Sequence, residues 1–358
     1  MKRIDGTKLL VTIAQDLPNE PSLKVWALDK PVKKTGSPTC QSSISVQNGR
    51  NPFPISAFAA LDDLSQLAVG FANGAVTVVR GDLIHDRGAK QRTVFESDEP
   101  VTGVEFRDVQ VQKLTTLYVS TTNRVLKLVI SGKGQGQPAR VVEDQGCGAG
   151  CMTVDRNTGD IVVGRVDMIY YYNLEGRGNC FAFEGAKTLV DTFRDYVAIV
   201  SPPAKSANTT GVARTFGLSK SDDLFNTSTF TLLDGDLRYI AHSESVVSTI
   251  RFLFSLGRDL YSVTEEGKLH RYHEKTLAQK LDILYQRNLF TYAINIAQKA
   301  GVEANQRNII YKKYGDYLYS KSEYDSAMEQ YLKAVDNTEP SQVIRKVVSA
   351  DIVIWKMY

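Results

Sequence analysis

The chain has 358 residues, 42% of them hydrophobic, which gives room for two domains and a sizeable core. Its 43 basic and 40 acidic residues leave a formal net charge of +3, so overall charge advertises neither nucleic acid nor an anionic membrane as a partner. Four cysteines (Cys40, Cys147, Cys151 and Cys180) make no disulfide framework in a chain this long and favour a reducing compartment. Residues 1–11 carry only a short, interrupted apolar run and do not read as a signal peptide. No stretch approaches the ~20 apolar residues of a membrane-spanning helix. The expected location is cytoplasmic, with peripheral and indirect membrane association through partners.

From residue 9 to 273 one phrase returns: an apolar strand, a polar turn, then an alternating strand. It runs Leu67–Gly70, Asn73-Gly74, Ala75–Val79, and then Leu117–Ser120, Thr122-Asn123, Val125–Ile130. It returns as Ile161–Gly164, Arg165–Asp167, Ile169–Tyr172, and as Leu260–Val263, Glu266-Gly267, Leu269–Tyr272. A degenerate copy fits Tyr196–Val200 with Val212–Phe216. Asn73-Gly74 predicts a tight primed turn, because both residues tolerate positive φ. The interval of roughly 40 to 50 residues is the period of a four-stranded propeller blade. Ser22–Asp29 reads as the third strand of a WD-type blade. The expectation is a WD40-like β-propeller over residues 1–275, with about five full blades and a partial one before them. A pair of β-sandwiches is the alternative for an all-β region of this size.

At Thr276 the apolar period changes from two to 3.6, predicting the beginning of an α-solenoid over residues 276–358. Leu277, Leu281 and Leu284 share a face, with Thr276 and Gln279 as a capping box. Phe290, Ala293, Ile294 and Ala297 form the face of a second helix, and Gly301 stands where a left-handed cap belongs. Tyr311, Tyr314, Gly315, Tyr324, Ala327, Tyr331, Ala334 and Pro340 then fall at the spacings of a tetratricopeptide helical hairpin. Small Gly315 and Ala327 admit a close approach of two helices, with Tyr311, Tyr324 and Tyr331 filling the gap between them. Ser322 and Asp325 suggest a capping box for the second helix. Thr338-Glu339-Pro340 reads as the start of a further helix. Such a hairpin needs stacked neighbours to bury its apolar face, which points to a scaffold.

No motif carries an enzyme's chemistry. Cys147, Cys151 and Cys180 lack an evident fourth zinc ligand, so no metal and no cofactor is expected. Gly132–Gly136 resembles a phosphate-cradling loop, but the strand-like Ala139–Glu143 follows it where a helix N-terminus is needed. His270 and His273, three apart on a strand, point to opposite faces. The acid pairs Asp62-Asp63, Asp222-Asp223 and Glu265-Glu266 sit in turn-like stretches. Acids or histidines gathered around a central channel would favour a propeller hydrolase, and ordinary side chains there a scaffold.

Several phrases together resemble one family: Val101–Phe106, Gly146–Gly148 with Cys151, Gly178–Lys187, Lys280–Phe290, Ala293–Ala297, Tyr314–Lys321 and Glu339–Lys346. The chain is similar, from about Leu23 to Lys346, to the eleventh vacuolar protein-sorting subunit of the class C tethering assemblies HOPS and CORVET. The resemblance implies a non-enzymatic scaffold in endosome-to-vacuole or lysosome transport, docking and fusion. Implied partners are other class C core subunits, a Sec1-like subunit, Rab GTPases and SNAREs, on late endosome, vacuole or lysosome membranes. Small-molecule substrates and nucleic acid are not expected. A clathrin-like or nuclear-pore-type coat subunit shares the architecture without these phrases. The family has blade sequence before the position matching Met1, and further solenoid with a RING domain after Lys346. The chain therefore resembles a product truncated at both ends. With roughly 23 strands against about 28 for seven blades, it is expected to form an arc with a gap.

Overall fold

In a computed structural model the described residues are 1–4, 6–15, 19–47, 53–109, 114–132, 135–202 and 227–334. Among them the short apolar runs pair as six antiparallel sheets, each a meander in chain order. The first holds β1 (Lys2–Arg3), β2 (Leu9–Ala14), β3 (Ser22–Pro31) and β4 (Pro38–Ser45). The second holds β5 (Ile55–Ala60), β6 (Gln66–Phe71), β7 (Val76–Asp82) and β8 (Arg87–Phe95). The third holds β9 (Val101–Val109), β10 (Leu114–Thr121), β11 (Val125–Ser131) and β12 (Arg140–Glu143). The fourth holds β13 (Met152–Val154), β14 (Ile161–Gly164), β15 (Met168–Tyr172) and β16 (Arg177–Ala182). The fifth holds β17 (Leu189–Phe193), β18 (Tyr196–Ser201), β19 (Thr227–Asp234) and β20 (Tyr239–Val247). The sixth has three strands, β21 (Ile250–Leu256), β22 (Asp259–Thr264) and β23 (Leu269–His273).

These sheets are the blades of a six-bladed β-propeller within the compact unit Met1–Arg271. From the second blade on, the first strands of successive blades pack against one another. Middle strands are sandwiched between neighbouring blades, so they read as continuous apolar runs: Leu67–Phe71 on β6 and Ile161–Gly164 on β14 are wholly buried. Val11, Leu23 and Val25 of the first blade join Leu67, Val69 and Val79 of the second in one cluster. Ala59, Ala68 and Val78 meet Val101, Val104 and Phe106 between the second and third blades, and a further cluster runs through the third, fourth and fifth. Last strands such as β16 face solvent and carry polar residues.

Five complete blades and one partial blade are present as expected, but the three-stranded one is the last and not the first. β18 pairs with β19, not with residues 212–216, which lie outside the described residues together with Asp222-Asp223. The Asn73-Gly74 turn is also different. Gly74 alone has positive φ (84°), and the loop has three residues, with Gly74 N–H donating to the Phe71 carbonyl at 3.1 Å and Phe71 N–H to that of Ala75 at 3.0 Å. This is a type I turn closed by a left-handed glycine. The Asn73 side chain is used to accept from Ala75 N–H at 3.3 Å. A Cβ at Gly74 would stand 1.9 Å from the Ser97 carbonyl oxygen, so glycine is required twice over.

In the sixth blade the register sets Phe252 opposite Val263 and Phe254 opposite Tyr261, and Phe254 stacks on Tyr261 at 5.4 Å. Phe252 is 64% exposed and Phe254 40%, where Val101 and Val104 on the corresponding strand β9 are buried.

The second unit, Tyr272–Tyr358, contains α1 (Leu277–Gln286), α2 (Phe290–Lys299), α3 (Ala304–Ser320) and α4 (Tyr324–Lys333). Thr276 and Gln279 form the predicted capping box at the start of α1. Helices α1, α2 and α3 end alike, with Asn288, Gly301 and Ser322 in the left-handed conformation at φ 57°, 65° and 65°. After each, a paired set of N–H bonds closes the last turn: Leu289 to Leu284, Val302 to Ala297 and Glu323 to Leu318, at 2.8, 3.1 and 3.0 Å. Ser322 is thereby committed to ending α3, and the Ser322–Asp325 capping box does not form. The N-cap of α4 is Glu323, without a side-chain hydrogen bond. Pro340 and the helix expected after it lie outside the described residues. No helix among the described residues is long and apolar enough to cross a membrane.

Candidate functional site: the aromatic helical seam and the propeller channel

The tyrosine-rich stretch builds the α3–α4 hairpin around one ring. Gly315 faces Tyr331 so closely that a Cβ there would lie 2.7 Å from the ring. The Tyr331 hydroxyl donates to Asp316 Oδ1 at 2.6 Å. Burial first, and then this hydrogen bond, push the Tyr331 phenol well above its ordinary value. Ala327 and Ala334 are buried, and Tyr311, Tyr314 and Tyr324 are half-buried. Tyr324 of α4 meets Tyr319 of α3 edge-on at 5.1 Å. Tyr314 reaches the previous hairpin, stacking on Phe290 of α2 at 5.3 Å, and Tyr317 tilts against the same ring at 5.3 Å. Tyr285 of α1 completes the stack on Phe290 at 5.9 Å. Phe290, Tyr285 and Tyr317 carry this second junction and were not singled out as stacking partners. Tyr314 and Tyr317, three apart on one helix face, are the signal for it.

In the propeller the first strands bring charged groups together. Lys2 on β1 lies 3.9 Å from Glu105 on β9 and donates to the Ala60 carbonyl at 3.3 Å. Asp191 on β17 accepts from Thr192 N–H at 2.8 Å and from the Thr153 hydroxyl at 3.2 Å. Burial raises the pKa of both acids. Lys2 opposes the rise at Glu105, while Asp191 and Asp62 add to it. Glu105 and Asp191 are each already engaged, and no histidine among the described residues is paired with either. His85 pairs with Asp82 in the β7–β8 turn, His242 is on β20, and His270 and His273 are on β23.

The other candidates are structural. Cys147 and Cys151 are buried thiols whose pKa burial raises, for Cys151 to about 12; Cys40 and Cys180 are exposed. No three His, Cys, Asp or Glu side chains among the described residues are placed to hold a metal ion. Glu265 and Glu266 pair with Arg251 and Lys268 at the surface. Of the stretch Gly132–Gly136, residues 133 and 134 lie outside the described residues, and the segment that follows contains strand β12 and not a helix N-terminus. Within the phrase Gly178–Lys187, the Lys187 ammonium donates to the carbonyls of Phe183 at 2.6 Å, Gly185 at 2.9 Å, Val166 at 3.3 Å and Arg165. It ties this segment to the β14–β15 turn.

A propeller followed in the chain by stacked helical hairpins with aromatic seams defines the propeller and helical-repeat class of proteins. Residues 1–274 match the family described as PEP5/VPS11 N-terminal. The chain is 32% identical over 345 residues to the vacuolar protein sorting-associated protein 11 homologs of Mus musculus and Homo sapiens, covering 96% of this chain and 35% of each relative. The Dictyostelium discoideum homolog is 31% identical over 350 residues, covering 92% of this chain and 36% of that protein. The chain belongs to the PEP5/VPS11 family. It spans about a third of the length of these curated relatives.

Proposed function

We propose that the chain is a non-enzymatic scaffold of a class C vesicle-tethering complex, acting in transport to and docking at the vacuole or lysosome. The observation that carries this reading is the similarity to vacuolar protein sorting-associated homologs across both the propeller and the helices. Glu105 and Asp191 are each already engaged, by Lys2 and by Thr153 and Thr192, which favours a scaffold over a hydrolase, because hydrolysis of a glycosidic bond needs two acids free to face one cleft. In this reading Tyr311, Tyr314, Gly315, Tyr324, Ala327, Tyr331, Ala334 and Pro340 serve as the structural positions of a helical hairpin, and Tyr314 also stacks that hairpin on the one before it. The partners are other class C core subunits, the Sec1-like subunit, Rab GTPases and SNAREs, at late endosome, vacuole or lysosome membranes. The domains are a propeller over 1–275 and a solenoid over 276–358.

The test is reconstitution. The tagged chain is co-expressed with the class C core subunits and the Sec1-like subunit, then purified through the tag. Recovery of at least one of them in stoichiometric amount is expected, with loss when Phe290→Ser breaks the stack on Tyr314. If none is recovered under conditions that recover all of them with a full-length homolog, the scaffold reading of this chain is wrong.

A further inference from the structure

We propose that the β3–β4 arm of the first blade binds directly to anionic lipid bilayers. Every residue from Leu28 to Pro38 is exposed, in the run Leu-Asp-Lys30-Pro-Val-Lys33-Lys34-Thr-Gly-Ser-Pro. The arm stands off the blade as a built structure. Pro31 is in register with Pro38, Val32 N–H donates to the Ser37 carbonyl at 2.8 Å, and Gly36 N–H to that of Val32 at 2.8 Å. The hydroxyls of Thr35 and Ser37 meet at 2.5 Å across the turn.

Lysines line this arm from base to turn. Lys30, Lys33 and Lys34 belong to it, and the Leu28 N–H bond to the Lys8 carbonyl at 2.9 Å brings exposed Lys8 to its base. Among the described residues none of the four is in a salt bridge, and the one acid of the arm is Asp29. Interspersed with these lysines along the chain are two exposed apolar residues, Leu28 at 41% and Val32 at 40% exposure. The whole-chain charge of +3 conceals this local excess.

The composition selects a bilayer over an acidic protein. Protein interfaces are depleted of lysine and anchored by Trp, Tyr, Phe or Arg, none of which the arm carries. Flexible lysines hold their charge at headgroup level without directional pairing, and small apolar tips enter the acyl boundary between them. Four lysines less one aspartate give three net charges, each raising partition roughly fivefold, so phosphatidylserine should favour binding by about a hundredfold. The attraction should fade as added salt shortens the screening length. The contact would be the chain's own, additional to whatever membrane attachment its partners supply, and vesicle binding by the chain alone is independent of the tethering reading.

The experiment is flotation of the whole chain with vesicles of phosphatidylcholine alone or with phosphatidylserine. Binding to the serine-containing vesicles, about a hundredfold tighter at low salt and largely lost at about 1 M salt, is expected. The triple change K30E/K33E/K34E should abolish it while leaving the thermal midpoint unchanged, and V32D should weaken it severalfold. Equal binding to both vesicle types, or binding that survives the charge reversal, overturns the proposal. So does capture on immobilised polyglutamate without capture on the vesicles, which would make the arm an acidic-protein site.

Discussion

Tyr331 is the side chain whose removal most sharply tests the helical reading. Its ring lies against Gly315, and truncation to alanine leaves a cavity between α3 and α4 while removing the hydrogen bond to Asp316. Loss of a buried aromatic ring costs about 3–5 kcal/mol. Tyr331→Phe keeps the ring and removes only the bond to a carboxylate, for about 1–2 kcal/mol at this half-buried pair. Gly315→Ala drives a methyl group to 2.7 Å from the same ring and should cost about 1–3 kcal/mol by overpacking. In the double variant Gly315→Ala/Tyr331→Ala the methyl group enters space the ring has left, so the double should be less damaged than the two singles summed, by about 1 kcal/mol or more. With two units in the chain, a single unfolding midpoint would mix their transitions. Hydrogen exchange of peptides from 304–333 reads the hairpin directly. Tyr331→Ala should accelerate its slowest amides about a hundredfold to several thousandfold, at 1.4 kcal/mol per tenfold. The same change at exposed Lys333 should leave them nearly unmoved. Equal small effects at 331 and 333, or strict additivity in the double variant, would refute the seam.

Glu99 accepts hydrogen bonds from Arg124, at 2.6 Å, and from Thr121, which hold its pKa down to about 2 from an ordinary 4.5. Its contribution to stability is present above pH 4.5 and lost as pH falls toward 2. Glu99→Gln should therefore lower the thermal midpoint at neutral pH and match the parent at the acid end of that window. Asp191 has the opposite sign: burial raises its folded pKa above an ordinary 3.8, so its contribution is complete below that pH and is lost as pH rises. Asp191→Asn should gain on the parent in thermal midpoint as pH rises above 3.8, and a difference that is flat with pH would contradict this. Under native conditions a thiol reagent should label Cys40 and Cys180 quickly, and Cys147 and Cys151 only after unfolding; elemental analysis of the same sample should find no stoichiometric zinc. Phe252→Ser, at an exposed position of the sixth blade, should change stability by less than about 0.5 kcal/mol, whereas Phe230→Ala in the fully buried core should cost about 3–5 kcal/mol, as chemical denaturation of the propeller would read.

The propeller was legible because its middle strands are buried on both faces and so cannot hide among polar residues: β6, β10 and β14 stand out as apolar runs at blade spacing. β19 escaped because it follows β18 only after a long interval, and Val212–Phe216 offered a nearer alternating run across the polar stretch 201–211. Gly315 and Tyr331 were legible because a small residue opposite a large one fixes a close helix approach. Ser322 misled because the same hydroxyl residue suits an N-cap and a left-handed C-terminal position, and only the chain's path decides which. Tyr314 and Tyr317 were visible as tyrosines, but their partner Phe290 belongs to another hairpin, beyond the reach of local spacing. Glu105 lay unremarked inside an apolar phrase, since its meaning depends on Lys2 and Asp191 arriving from other blades. The basic arm vanished in the average over the whole chain.

Sequential meanders also set a timetable for synthesis. Every strand among the described sheets pairs with neighbours made just before or just after it, so each blade holds all its partners once its own last strand has emerged. At ~5–20 residues per second a blade of roughly 45 residues takes ~2–9 s to appear, while a hairpin closes in ~1–10 μs. Each blade thus has ample time to form and lie on its predecessor before the next is begun. At every stage the growing chain carries one freshly made apolar sheet face at its leading side, and the pair Phe252 and Phe254 is the last such face that the ribosome delivers before the helices begin.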